Sequence, residues 1–410
     1  MRIVLLTQYF PPEPTQLYGE LAFGLKELGH DVVVVTGYPN WPSGRIYEGY
    51  RNRWRQWDEH QGVPVLRLKT FADHSKSRLR RVLNLFSLAS SFSLLGPWLV
   101  RRPACIHVVQ LATLCASARW VGGLWRVPHT LEIQDLWPET LAATGMVSSP
   151  RALGAVGRLC DATYRWAERI RVISPGFREN LVGKGVPADK IEVIENWVDT
   201  DFYRPCEPDP ALAERLGMAS RFNVLYAGNI GLMQNLGTLL DAAALLRDRP
   251  EIQICLAGDG VERESLQRRA EQEGLSNVRF LGSFPTSEMT PIYALADALL
   301  VHLRRDPLAA ITIPHKVQSY LAVGKPIVCA LEGDPRRVVE EAGAGLACPP
   351  EDPAAMAEAI RRLADMADAD RRALGARGRD AALRRFDRRA QIAKVERMIR
   401  QAVEGSSLRA

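Results

Sequence analysis

None of the seven cysteines, at positions 105, 115, 160, 206, 255, 329 and 348, is spaced as CxxC from another, and the count is odd. A disulfide framework is therefore not expected; reduced, mostly buried thiols of a cytosolic protein are. The seven histidines, at 30, 60, 74, 107, 129, 302 and 315, never recur at i, i+4 and never cluster with cysteine, so no metal site is expected. There is no GxSxG elbow, no dinucleotide fingerprint and no Walker loop, which removes support for hydride transfer and ATP hydrolysis. The opening "MRIVLLTQYF" has one basic residue, a short apolar run and no small-residue cleavage site. It reads as a first strand, not a signal peptide. Finally, no carboxylate occurs in "TIPHKVQSYLAVGKPI" (312–327), although two lysines and a histidine do.

The chain has 410 residues, too many for one ordinary core, so two or three domains are expected. It is 47% hydrophobic and 24% charged, which fits a globular protein. A net charge of +6 is too weak to imply nucleic acid, and none is expected as a partner. It suits an anionic membrane surface or a phosphate-bearing substrate.

"RIVLLT" reads as a buried parallel strand, followed by a proline-stiffened loop, the helix "LYGELAFGLKELGH" ending at Gly29, and the strand "DVVVVT". The pattern restarts at "FNVLYAGNIG" (222–231) and alternates strand and helix again. This predicts an α/β chain of two Rossmann-like, doubly wound domains facing across a cleft. The spans are 1–200 and 201–386, and a last helix at 387–404 returns to the first domain. The linker falls near 196–210. One stretch breaks the rhythm. Between Arg81 and Arg101 no residue is charged, yet the run holds four serines, an asparagine, a glycine and a proline. Three readings of 78–102 stay open: a core helix, an interfacial membrane helix with its arginines on lipid phosphates, and a span.

Gly228 and Gly231 stand between a strand and a helix, where a backbone can approach an anion. Gly258 and Gly260, flanking Asp259, form a second such turn. Thr312 and Pro314 look like a helix start. Lys316 then projects from a first turn, where a cation is disfavoured unless an anion is present. Asp135 and Glu139, in "EIQDLWPET", are candidates for a base or for orienting a hydroxyl. Trp137 and Pro138 suit a rigid wall. His107, in the strand "CIHVVQ", is expected in the core.

The motifs "YFPPEP", "RVISPGFRENL", "IEVIENWVDTDFYRP", "VLYAGNIG", "CLAGDG" and "YLAVGKPIV", in this order, resemble family-4 glycosyltransferases of the GT-B fold. "DLWPET", "GNIGLMQNL" and "IPHKVQSYLAVGKPI" are similar to bacterial O-antigen and capsule enzymes of the N-acetyl-L-fucosamine transferase type. The resemblance implies retaining transfer from a nucleotide sugar without a metal or other cofactor. It puts the acceptor in the first domain and the nucleotide in the second. It also implies a lipid-linked sugar acceptor and a cytoplasmic location, peripheral at the inner face of the plasma membrane. Donor contacts would come from Thr15, Gln16, Gly228, Asn229, Gly231, Gln234, Asn235, Gly258, Gly260, Arg304, Thr312, Pro314, Lys316 and Ser319. Two departures stand out. Ile311 and Ser319 occupy the places of the family's paired glutamates. Asn229 and Gln234 stand near those of its arginine and lysine, so Lys316, with Arg304 or Arg305, would carry the phosphate charge. A nucleotide-sugar 2-epimerase of the same architecture, or a non-catalytic nucleotide-sugar-binding protein, stays open beside the transferase.

Overall fold

The computed structural model describes residues 1–73, 78–143, 147 and 149–407, in two compact units. The first comprises Met1–Glu195 with the chain from Arg389 onward, and the second Asn196–Arg388. The boundary falls before the expected residue 200. Val198 donates its N–H to the carbonyl of Phe386 at 3.0 Å, and the Gln318 amide reaches the Asn196 carbonyl at 2.8 Å. Backbone so bonded belongs to the second unit and is not a linker.

The first unit carries β1 (Arg2–Leu6), β2 (Asp31–Thr36), β3 (Arg55–His60), β4 (Val63–Leu68), β5 (Cys105–Val109), β6 (His129–Ile133), β7 (Arg169–Val172) and β8 (Ile191–Val193). Their order is β3-β4-β2-β1-β5-β6-β7-β8, parallel except for β3. β1 and β5 are buried nearly throughout, as runs covered on both faces must be. Three helices matter below: α1 (Gln16–Glu27), α2 (Arg78–Leu99) and α3 (Ala112–Trp125). The last helix, Arg388–Ser407, belongs to this unit. It buries Ile392, Val395, Met398, Ile399 and Ala402 at helical spacing, and its Glu396 meets His30 at 3.0 Å. Each of the four larger side chains contributes about 1.5–3 kcal/mol of apolar stabilisation.

The second unit carries β9 (Phe222–Ala227), β10 (Ile252–Ala257), β11 (Val278–Gly282), β12 (Ala298–His302), β13 (Ile327–Ala330) and β14 (Gly345–Ala347). All are parallel, in the order β11-β10-β9-β12-β13-β14. The strand order reverses between β9 and β12, where an open sheet of this kind leaves a crevice beyond its strand ends. In the first unit the matching point lies between β1 and β5. Six of the cysteines are buried and free; Cys206 is exposed.

Candidate functional site

In the second unit, the turns after β9 and β10 press against one another. Gly228 N–H donates to the Ala257 carbonyl at 2.9 Å, and Ile230 N–H to the Asp259 carbonyl at 2.8 Å. A Cβ on Gly258 would stand 1.9 Å from the Gly228 oxygen, and one on Gly260 2.2 Å from that of Ile230. Both glycines also have positive φ, 145° and 157°, so here they are sterically required. The consequence corrects an expectation. The amides of Gly228 and Ile230 are spent on the neighbouring turn and are not aimed at a ligand.

Lys316 fills that gap. Thr312 does not open its helix; it ends the preceding short one, Pro307–Ile311, with its hydroxyl on the Leu308 carbonyl at 2.7 Å. Pro314 is the N-cap of His315–Ala322, which puts Lys316 in the first turn. One turn on, the Tyr320 hydroxyl accepts from Ala227 N–H at 3.0 Å and pins the helix to the end of β9. The Lys316 ammonium lies 4.0 Å from the Tyr226 ring centroid and donates to the Tyr226 hydroxyl at 2.8 Å. That hydroxyl in turn donates to the Asn229 carbonyl at 2.6 Å. The Nζ is close enough to the turn that a Cβ on Gly228 would sit 2.9 Å from it. No carboxylate pairs with Lys316 among the described residues. The group is partly open to solvent, yet protein surrounds most of it, and this burial pushes its pKa down to about 7. An anion would be stabilised by a cation short of a counter-charge at a helix N-terminus and a strand-order reversal.

The remaining candidates distribute unevenly. Asn229 donates to the Gln234 side-chain oxygen at 3.1 Å, and Asn235 to Glu351 at 2.9 Å. Buried His302 holds both loops, with Nδ1 on the Gln234 carbonyl at 2.8 Å and Nε2 accepting from Glu351 N–H at 3.0 Å. Arg304 is exposed beside them, tied through its N–H to the Met233 carbonyl at 2.9 Å. Arg305 is committed to Glu332 at 3.2 Å. Ser319 is buried and turns its hydroxyl back to its own helix, onto the His315 carbonyl at 3.2 Å. It does not stand in for a ribose-binding carboxylate. Thr15 and Gln16 open α1 in the first unit, and Thr15 makes no side-chain cap.

In the first unit, a cavity of about 710 Å³ lies beyond the ends of β1, β5 and β6. Its wall includes Gln8, Tyr18, Phe86, Gln110, Asp135 and Trp137. The Asp135 carboxylate opens to solvent, yet protein encloses it on most sides; this desolvation raises its pKa, against the lowering effect of a 2.7 Å bond from the Gln110 amide. Gln110 also accepts from Gln134 N–H at 3.0 Å, and it holds φ at 72°, a left-handed backbone costly for a residue with a Cβ. Beneath Asp135 sits a fully buried cluster. The Arg171 guanidinium lies 2.6 Å from Glu132 and reaches the carbonyls of Ile194 and Glu195. His107 bridges Glu132 at 3.3 Å and Thr130 at 2.9 Å, the core role expected of it. Burial alone would raise the Glu132 pKa; Arg171 and His107 outweigh it and hold it at about 2. Gln134 completes the link, donating to Glu132 at 2.6 Å. Glu139 is the exception. It opens α4 (Glu139–Ala143) and pairs with Lys184 at 2.5 Å, and it is absent from the cavity wall. A role in base chemistry does not fit that position.

Reasoning from sequence missed Tyr226, Tyr320, His302 and Gln110. Only their places at strand ends, or one turn after Lys316, could have marked them.

Residues 16–197 match the family model described as glycosyl transferase 4-like domain, and residues 221–366 that of glycosyl transferases group 1. The chain is similar to the putative colanic acid biosynthesis glycosyl transferase WcaI of Escherichia coli (strain K12), 28% identical over 344 residues, 81% of this chain and 84% of that protein. It is also similar to the probable glycosyltransferase WbjE of Pseudomonas aeruginosa, 26% identical over 241 residues, 58% of this chain and 60% of that one. Among solved structures, Anabaena Alr3699/HepE in complex with UDP aligns with a TM-score of 0.74 at 17% identity, covering 98% of this chain and 100% of that one.

Proposed function

We propose that this chain, a glycosyltransferase of the GT-B fold, moves a sugar from a UDP-sugar to a polyprenyl-diphosphate-linked sugar in the assembly of a surface polysaccharide of O-antigen or capsule type. The donor is UDP-N-acetyl-L-fucosamine or a related amino or deoxy sugar. Transfer proceeds with retention and without a metal or other cofactor, at the cytoplasmic face of the membrane. The observation that carries this reading is Lys316, an ammonium without a counter-ion among the described residues, at the β9–β12 reversal. There it would meet the diphosphate and stabilise the charge that grows on departing UDP. The UDP in the HepE crystals and the polysaccharide role in the name of WcaI support the donor and the setting. The relatives described above are named as glycosyltransferases, which favours transfer over epimerisation or simple binding.

In the first unit the cavity would take the acceptor. Asp135, with its raised pKa, would orient or deprotonate the attacking hydroxyl. Asp135→Asn keeps the bond partner for Gln110 but cannot take a proton. It should lower the transfer rate roughly 10²–10⁴-fold, with UDP affinity unchanged by calorimetry. An unchanged rate would remove Asp135 from the chemistry. The reading as a whole is tested by a panel of UDP- and GDP-sugars against polyprenyl-diphosphate sugars, followed by nucleotide release and product mass. Conversion of UDP-N-acetylhexosamine to its C2 epimer without acceptor would favour the epimerase instead.

A further inference from the structure

α2 is apolar on both faces, unlike an ordinary surface helix. Inward it buries Leu88 and Phe92, and three of its serines are bonded beside them. Ser87 accepts from Phe71 N–H at 2.9 Å, Ser91 donates to the Lys69 carbonyl at 2.7 Å, and Ser93 meets Ser117 of α3 at 3.0 Å. Others of its large apolar residues point outward. Leu94 is 72% exposed and Trp98 87%. Leu83 and Phe86 continue the stripe toward the helix start, interrupted by exposed Ser90.

α3 runs alongside in the same direction: Thr113 donates to the Leu85 carbonyl at 2.8 Å and Ser117 to that of Ala89 at 3.0 Å. The same register carries Trp120 (61% exposed) and Leu124 (58% exposed) to the Leu94–Trp98 end. Around that end stand four exposed arginines, Arg101, Arg102, Arg119 and Arg126. Val82–Leu99 is long and apolar enough to cross a membrane. The inward bonds from 84 to 93 instead hold it flat on its unit.

We propose that the shared outer face of α2 and α3 beds on an anionic bilayer. Trp98 and Trp120 lie at headgroup depth and the four arginines sit against lipid phosphates. The proposal deepens the reading above and rests on it in one respect: α2 also lines the Asp135 cavity through Leu85 and Phe86. An acceptor whose lipid stays in the bilayer would therefore reach the cavity along one helix. The apolar stripe demands cover, and the cationic rim selects an anionic occupant over a second copy of this basic chain.

The test uses the full chain and vesicles of equal parts phosphatidylethanolamine and phosphatidylglycerol, with phosphatidylcholine vesicles as the neutral control. Wild type should co-sediment with the anionic vesicles and much less with the neutral ones. Trp98→Ser with Trp120→Ser should weaken partitioning roughly tenfold. Arg101→Gln with Arg119→Gln should weaken it about fivefold per arginine, an effect that salt erases. Both double variants should unfold at the wild-type midpoint and bind UDP as wild type does. They should lose transfer to vesicle-borne acceptor but keep it with a short-chain soluble one. Wild type that stays in the supernatant, or variants that bind vesicles unchanged, overturns the proposal. So does a dimer that the tryptophan variant dissolves. If vesicle binding fails while transfer to the soluble acceptor persists, the bilayer face falls and the transferase reading stands. If binding holds but no nucleotide is ever released, the reverse applies.

Discussion

Lys316→Met should lower sugar transfer roughly 10²–10³-fold, the loss typical of removing one donor from a site that stabilises developing negative charge. UDP affinity should fall about 10–100-fold, matching the roughly 1.5–3 kcal/mol carried by a hydrogen bond to a charged group. The methionine keeps the aliphatic stem against Tyr226, and the Tyr226–Asn229 bond that shapes the turn does not need the ammonium. Folding should therefore survive, and the pH dependence of stability gives a check independent of activity. Burial holds the Lys316 pKa at about 7, below the ordinary 10.5. Between those values the unfolded chain binds a proton that the folded chain does not, so stability gains a rising contribution with pH across that window. Below about 7 both states are protonated and the burial penalty is paid in full. The variant should lack this rise and be at least as stable as wild type at neutral pH. Urea midpoints measured across the window decide it; a variant less stable than wild type at every pH would mean that Lys316 is a structural cation.

The second large effect is on the fold. Arg171→Met leaves the Glu132 carboxylate buried with its main counter-charge gone, and such breaks cost about 3–5 kcal/mol. Because Glu132 is held well below its ordinary range, its stabilising contribution is present near neutral pH and is lost only as pH falls toward about 2. The variant should therefore show its full deficit at neutral pH. Pairing it with Glu132→Leu should recover much of the loss, since a neutral, apolar pair no longer strands a charge. The Asp135 loop is tied to the cluster through Gln134 and Gln110, so the single variant should lose transfer as well. A single variant with the wild-type unfolding midpoint would show the cluster to be dispensable.

Much of this was legible before any coordinates. The apolar runs of β1, β2, β9 and β10 announce parallel strands because both faces of such strands are covered. The restart at 222 announces the second unit. Lys316 stands out because a first-turn cation without an acid nearby is electrostatically anomalous. Other features were not legible because they depend on long-range geometry. Tyr320 and Tyr226 matter through a shared approach to one turn across 94 residues of chain. Gln110 matters through an unusual backbone angle, which no residue type signals unless it is glycine or asparagine. Glu139 misled because its acid-rich neighbourhood says nothing of Lys184, 45 residues away, which claims it. Ser319 misled because a helical serine can always bond back to the carbonyl four residues earlier.

The central claim, that a nucleotide diphosphate docks against Lys316, has a direct test in calorimetric titration of UDP at about pH 8, repeated in buffers of different ionisation enthalpy. At that pH the free Lys316 is mostly neutral, and the UDP phosphates are fully ionised. Docking should recharge the amine, so binding should take up close to one proton in wild type and none in Lys316→Met. Binding without proton uptake, or uptake that persists in the variant, would contradict the account.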